Sequence, residues 1–443
     1  MIRFLYNILF WIFFLLSAPF YFLKMWRRGN WAAGFNQRFA RYDIGIRHAA
    51  SNRDVLWLHA VSVGEVNILT QLIAALEPRL PNLKLVVSTT TSTGMAELSK
   101  RLPTRIIRIY YPVDGRRIVR RALSKFALRG LVLVEAEIWP NFLWELADRQ
   151  VPVFLVNTRL SEKSHRGYKR LGFLFRGIFA SFAGVGVQNE TDAARAIGVG
   201  CRPEAVHVVG NLKFDAARLD SRTPFNVAGL LRQLHVPPGA PVIVAGSTHA
   251  GEEALLAAQV GRLRQKHPGL FLVLVPRHVE RTNEVVRDLK AAGVKFCLRT
   301  DVVDGREFKP GEIECLVVNT TGELRHFYQH ASVIFVGKSL TAEGGQNPIE
   351  PGALGKAMVF GPNMQNFTAI ANAFVSRRGA VQVPDAPELE RAFDELLADE
   401  SRRAELGRNA LAVVRENQGA IERTVDMIVE HLHLNGTYVA GKR

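Results

Sequence analysis

The chain is poor in cysteine. Its three, Cys201, Cys297 and Cys315, offer no paired disulfide framework and no metal-ligand spacing. A reducing compartment is expected, with no metal and no bound cofactor. There is no Gly-x-Gly-x-x-Gly fingerprint and no Walker loop, which removes two common phosphate-cradling signatures. Low-complexity runs are also missing. Acidic residues are in deficit: 41 Asp and Glu stand against 57 Lys and Arg, for a formal net charge of +16. That excess predicts an anionic partner, whether nucleic acid, an acidic membrane face or a phosphorylated lipid. Basic stretches interleaved with aromatics are absent, so the reading is no nucleic acid and an anionic lipid surface.

What is present starts with a long apolar run. Ile2 to Phe22 is broken only by Arg3, Tyr6, Asn7, Ser17, Pro19 and Tyr21. About 20 apolar residues span a bilayer. Lys24, Arg27 and Arg28 follow and belong on the cytoplasmic side. A cleaved signal peptide would need a small-residue site, where the chain has the bulky Phe20-Tyr21-Phe22. The run predicts an N-terminal membrane anchor helix that crosses the bilayer or, given Pro19, dips into one leaflet.

Short apolar runs then alternate with helical stretches. Val55 to Ala60, Leu83 to Ser88, Ile106 to Tyr110, Leu131 to Val134, Val153 to Val156 and Gly184 to Val187 read as strands. After a polar break the pattern restarts with Val242 to Ala245, Leu270 to Val275, Val294 to Leu298, Cys315 to Val318, Val333 to Val336 and Ala357 to Phe360. Strands separated by helices of this kind mean βαβ units and parallel sheets. The expected fold class is α/β, with two Rossmann-like parallel-sheet domains facing a cleft. The expected division is an anchor at 1–28, one domain at 29–215, a linker at 216–238, a second domain at 239–415 and a helical tail at 416–443.

Polar residues gather just past the strand ends, where ligands bind in open α/β sheets. Glu65 follows the first strand. Glu135 and Glu137 follow another, two residues apart and so on one face of an extended chain. One of these two could instead cap the helix that follows. Lys213 stands at the break between the domains. In the second half, Gly246-Ser247-Thr248-His249, Pro276-Arg277-His278 and Asn319-Thr320-Thr321-Gly322-Glu323 close successive strands. The loop Gly344-Gly345-Gln346-Asn347-Pro348-Ile349-Glu350 closes a fourth. Its glycines allow close backbone approach, and a helix start after Asn347 suits an anion. Glu350 could accept hydrogen bonds from a ribose. Together these ends suggest a nucleotide-sugar pocket.

The motifs, taken in order, resemble the Kdo transferases of Gram-negative envelopes, which are membrane-anchored glycosyltransferases of the GT-B fold. The resemblance rests on Trp57-Leu58-His59-Ala60-Val61-Ser62-Val63-Gly64-Glu65, Glu135-Ala136-Glu137-Ile138-Trp139-Pro140-Asn141, Asn157-Thr158-Arg159-Leu160-Ser161, Gln188-Asn189-Glu190 and Gly210-Asn211-Leu212-Lys213-Phe214-Asp215. It continues through Val275-Pro276-Arg277-His278, Gly322-Glu323-Leu324, the Gly344 loop and Asn417-Gln418-Gly419-Ala420. It implies transfer of 3-deoxy-D-manno-octulosonic acid (Kdo) from CMP-Kdo to a lipid A precursor. The first domain would bind the acceptor and the second the nucleotide-sugar. The resemblance further implies that Glu65 is the general base and that Glu135 and Lys213 steady the transition state. CMP would be held by Pro276 and Arg277, by Thr321, Gly322 and Glu323, and by Asn347, Pro348, Ile349 and Glu350. The catalytic domains would lie in the cytoplasm, against the inner membrane. The chain departs from the family after the anchor, with Phe35-Asn36-Gln37-Arg38 where Gly-Glu-Arg is frequent, and at Lys338, where a glycine is common. The alternatives are a GT-B enzyme for another nucleotide-sugar and a non-catalytic nucleotide-binding scaffold.

Overall fold

The computed structural model describes residues 1–27, 32, 34–51, 53–135, 137–215 and 225–432. Arg28, Ala136, the first part of the expected linker and the end of the tail lie outside the described residues. The chain divides into two compact units, Met1–Ala216 with Gln418–Arg443, and Ala217–Asn417.

In the first unit the strands are β1 (Asp54–His59), β2 (Lys84–Thr89), β3 (Ile107–Tyr110), β4 (Ala127–Val134), β5 (Val153–Thr158), β6 (Gly184–Val187) and β7 (Val206–Val208). They form one parallel sheet in the order β3-β2-β1-β4-β5-β6-β7. Helices α1 (Ile2–Arg27), α2 (Ile44–Ala50), α3 (Val63–Leu76), α4 (Ser92–Arg101), α5 (Arg116–Leu123), α6 (Pro140–Asp148), α7 (Glu162–Arg170), α8 (Gly172–Ala180) and α9 (Glu190–Val199) accompany it. Successive residues of a strand point to opposite faces. Val55 and Trp57 of β1 therefore enter one core and Leu56 and Leu58 the other. Both faces are buried, as a parallel sheet requires.

The second unit repeats the plan. Its strands are β8 (Val242–Thr248), β9 (Phe271–Pro276), β10 (Phe296–Leu298), β11 (Cys315–Val317), β12 (Val333–Val336), β13 (Met358–Phe360) and β14 (Val381–Gln382). Their order is β10-β11-β9-β8-β12-β13-β14, again all parallel. Its helices are α10 (Val227–Gln233), α11 (Glu252–Leu263), α12 (Thr282–Ala291), α13 (Leu324–Gln329), α14 (Ile349–Ala353), α15 (Thr368–Ser376), α16 (Ala386–Ala398) and α17 (Glu400–Asn417).

Two details go beyond the sequence reading. Helix α10 stands inside the stretch read as a linker. Val227, Leu230, Leu231 and Leu234 are buried there at helical spacing, so a polar stretch still carries an apolar stripe. The last helix, α18 (Ala420–His431), belongs to the first unit, where Ile421, Val425 and Ile428 join the core beside α3. Asp215 fastens it: its carboxylate accepts the Gly419 N–H and the Ile421 N–H, both at 2.7 Å. The two motifs that end in Asp215 and begin at Asn417 thus meet as a helix cap and the helix it caps.

Candidate active site

In the first unit the candidate residues sit on the loops after β1, β4 and β7. Glu65 occupies the third position of α3 and closes a capping box with Ser62. Its carboxylate accepts the Val61 N–H at 2.9 Å, the Ser62 hydroxyl at 2.7 Å and the Ser62 N–H at 3.4 Å. Glu65 thus also acts as a helix cap. Burial raises its pKa, the three donors pull it back, and the Glu135 charge raises it again. A carboxylate has about four lone-pair sites, so these three donors leave about one of them open. His59, in the same motif, is a core residue. It is fully buried against Ser88 and Tyr111, and burial lowers its pKa to about 3.

Glu135 ends β4 in the left-handed region, at φ 60°. That conformation is costly for a glutamate, on the order of 1–3 kcal/mol, and it turns the chain sharply at the strand end. Lys213 Nζ lies 3.6 Å from Glu135 Oε1, and the Asn157 side-chain amide donates to the same oxygen at 3.3 Å. Asn157 is fully buried at the end of β5, also at positive φ. Its Oδ1 accepts the Leu212 N–H at 3.1 Å and the Gln188 amide at 3.3 Å. Asn211 donates to Gln188 Oε1 at 3.1 Å and accepts the Lys213 N–H at 3.0 Å. The ends of β4, β5, β6 and β7 are thereby laced into one network that fixes Glu135 relative to Lys213. Asn157, Gln188 and Asn211 received no role from sequence. All three lie in motifs that carry the family resemblance, which was the available signal. Glu137 instead accepts the Trp139 indole N–H at 2.6 Å.

In the second unit, Pro276 is the buried last residue of β9, and Arg277 beyond it is exposed. The Arg277 N–H donates to Thr248 O at 3.0 Å, tying the ends of β9 and β8. Thr321 is exposed, and Gly322 takes φ +89° with open space around it. Glu323 is half-buried and paired with Arg299 at 3.2 Å. Asn347 Oδ1 accepts the Ile349 N–H at 3.0 Å, with Pro348 as the N-cap of α14. Glu350 is half-buried; burial raises its pKa, and the charges of Arg325 and Arg277 oppose that rise. Arg277 and Glu350, from separate strand ends, are thus brought together, whereas Glu323 faces Arg299.

A buried carboxylate holds these loops in place. Glu252 accepts the N–H groups of His249, Lys338, Ser339 and Leu340 at 2.8–3.1 Å. Gly337 fits only because it lacks a side chain: a Cβ there would come within 2.5 Å of Ser247 O. Lys338 follows at φ 54°. Its charge, with those of His278 and Arg281, adds to burial in lowering the His249 pKa. Arg277 and Lys338 thus put cations past β9 and β12, a setting for phosphate, while Arg281 is held by Glu253 and Glu284. Among the described residues, no group of three or more His, Cys, Asp or Glu could hold a metal ion.

Two seven-stranded parallel sheets with polar residues collected past their strand ends define an α/β protein of the GT-B fold class. Solved structures agree at the level of fold. A glycosyltransferase from Rickettsia africae has a TM-score of 0.54 at 14% identity, covering 87% of this chain and 100% of its own. The UDP-GlcNAc 2-epimerase from Neisseria meningitidis bound to UDP-GlcNAc has a TM-score of 0.56 at 13% identity, with coverages of 86% and 100%. The family model described as 3-deoxy-D-manno-octulosonic-acid transferase (kdotransferase) matches residues 33–216. The 3-deoxy-D-manno-octulosonic acid transferase of Bordetella pertussis is 34% identical over 432 residues, covering 94% of this chain and 97% of the relative. That of Haemophilus influenzae is 30% identical over 405 residues, with coverages of 90% and 93%. The chain belongs to the Kdo transferase family. One of its helices, over Ile2–Leu23, is long and apolar enough to cross a membrane.

Proposed function

We propose that the protein transfers Kdo from CMP-Kdo to a lipid A precursor at the cytoplasmic face of the inner membrane, with inversion at the anomeric carbon. The acceptor hydroxyl forms the new bond to that carbon as the bond to the CMP phosphate oxygen breaks. Glu65 takes the hydroxyl proton, and its partly buried, raised pKa suits a general base. Glu135 and Lys213 steady the transition state. Arg277 and the loop from Asn347 to Glu350 bind the departing CMP, whose phosphate gains charge as it leaves. Pro276, Thr321, Gly322 and Glu323 complete the nucleotide pocket. The apolar helix and the net charge of +16 bring the enzyme to an acidic lipid surface.

The observation that carries this reading is the Glu135–Asn157–Gln188–Asn211–Lys213 network, which assembles a carboxylate and an ammonium from four strand ends beside Glu65. The test is incubation of the detergent-solubilised protein with CMP-Kdo, generated in place, and a tetra-acylated lipid A precursor. Mass spectrometry of the lipid should show a gain of one or more Kdo units. CMP binding without any mass gain would overturn the proposed acceptor.

A further inference from the structure

Lys338 stands where the backbone argues against a lysine. It follows β12 at φ 54°, in the left-handed region. Glycine adopts that region freely. Other residues hold it at a cost, and such residues cluster at active sites and ligand clamps. The main chain around Lys338 has little to give a ligand. The N–H groups of Lys338, Ser339 and Leu340 all donate to the Glu252 carboxylate. Across the loop, the Gly344 N–H donates to Gln365 Oε1 at 2.7 Å and the Gly345 N–H to Lys338 O at 2.9 Å. These backbone donors are engaged, so an anion arriving here must be met by side chains.

Two side chains are placed to meet it. Gly344 takes φ +121°, and a Cβ on it would lie 2.8 Å from Asn366 Nδ2 and 3.3 Å from Lys338 Nζ. The amide and the ammonium thus converge on a notch that a glycine keeps open. Lys338 is half-buried, and among the described residues no carboxylate pairs with its ammonium. Its charge is felt past β8, where it helps to lower the His249 pKa. A neutral His249 adds no charge of its own between Lys338 and Arg277. In the order β9-β8-β12 those two cations follow strands two places apart, roughly 10 Å at the backbone. Each can therefore meet its own anionic group.

The donor of the proposed reaction carries two such groups. Kdo is an ulosonic acid, with its carboxylate on the anomeric carbon. The same carbon bonds the phosphate oxygen of CMP. A carboxylate must then lie beside any phosphate held at Arg277. Its two oxygens accept from two donors at once, and an ammonium with an amide supplies them.

We propose that Lys338 and Asn366 form the subsite for the sugar carboxylate of the donor, and that this subsite makes the second unit selective for an acidic nucleotide-sugar. The lysine acts as a point charge. A neutral sugar would cover the ammonium without answering it, which is unfavourable for a half-buried charge. The inference rests on the proposed transfer from CMP-Kdo and adds to it a group that recognises the sugar instead of the nucleotide.

The test compares the full-length protein with Lys338→Met, Lys338→Gly and Lys338→Arg. Met keeps the length without the charge, Gly suits the left-handed φ, and Arg keeps the charge. Transfer rates are measured over a range of CMP-Kdo concentrations, the donor being made in place, and CMP binding is measured by calorimetry. Lys338→Met and Lys338→Gly should both raise the KM for CMP-Kdo about 10-fold, the scale of one charge-assisted hydrogen bond. Their affinity for CMP, which has the phosphate but no carboxylate, should stay unchanged. Lys338→Arg should restore most of the loss. Equal weakening of CMP and CMP-Kdo would assign the lysine to the phosphate and overturn the subsite. An unchanged KM in both neutral variants would overturn it as well. Absence of Kdo transfer by the unaltered protein would instead overturn the proposed function on which the inference rests.

Discussion

The strand ends of the two units are furnished differently. Those of the first carry amides and a single carboxylate–ammonium pair, and most of the polar atoms answer one another. Asn157 donates to Glu135 and accepts from Leu212 and Gln188. A satisfied network of this kind rigidifies the groups it holds. Those of the second carry glycines and cations, while residues at positive φ occur at strand ends of both units. Its loops are fixed from beneath by the buried Glu252, while Arg277 and Thr321 stay exposed. The first arrangement suits groups that must keep an exact relation during a reaction. The second suits a ligand that brings its own negative charge.

The contrast can be broken most sharply at Glu65. A capping box accepts Gln at its third position as well as Glu, so Glu65→Gln keeps the helix start while removing a base. Turnover should fall roughly 10²–10⁴-fold, with CMP binding unchanged by calorimetry. Near-normal turnover would leave Glu65 as a helix cap and no more. Lys213→Met should come next, with kcat/KM lowered on the order of 100-fold. The Lys213–Glu135 pair is about a third exposed on each side, so its loss should cost stability less than about 1 kcal/mol. A stability loss large enough to account for the activity would reduce the pair to a structural one.

In the second unit, Arg277→Ala should weaken CMP binding about 10-fold or more, the scale of one charge-assisted hydrogen bond. Turnover at saturating donor should change less. A large fall in turnover with full CMP affinity would erase the division of labour between the units. A last prediction concerns Asp114, which touches neither set of candidate residues. Burial raises its carboxyl from 3.8 to about 7, despite donors from Tyr6, Asn141 and Phe142. The folded protein then holds this proton more tightly than the unfolded chain. Its contribution to stability is complete below about pH 4 and is lost as pH rises through 7. Asp114→Asn should flatten that part of the profile of thermal midpoint against pH, and an unaltered slope would assign the dependence elsewhere.

Much of this protein was legible along the chain because the signals are local. Runs such as Leu131 to Val134 and Val333 to Val336 are too apolar for a surface and too short for a helix. Glycine and polar residues after them mark the loops. Less visible were β7 and β14, whose few residues are only partly buried. The roles of Asn157, Gln188 and Asn211 were hidden for another reason: each is an ordinary amide until the sheet order sets β5, β6 and β7 side by side. Gln37 differs from the family pattern, but the structure gives its side-chain oxygen the Tyr110 N–H to accept.

The sequence by itself determined the α/β class, the paired parallel sheets, the apolar N-terminal helix and the kinship with Kdo transferases. These follow from periodicity, composition and ordered motifs, which need no contact between distant residues. Tertiary structure alone decided that α18 returns to the first unit under Asp215, that Lys213 meets Glu135, and that Arg3, Tyr6 and Asn7 of an apolar helix find polar partners. Each of these joins residues more than 70 positions apart. A hydrogen bond at that separation depends on which surfaces the folded chain brings within about 3 Å, and no local pattern records it.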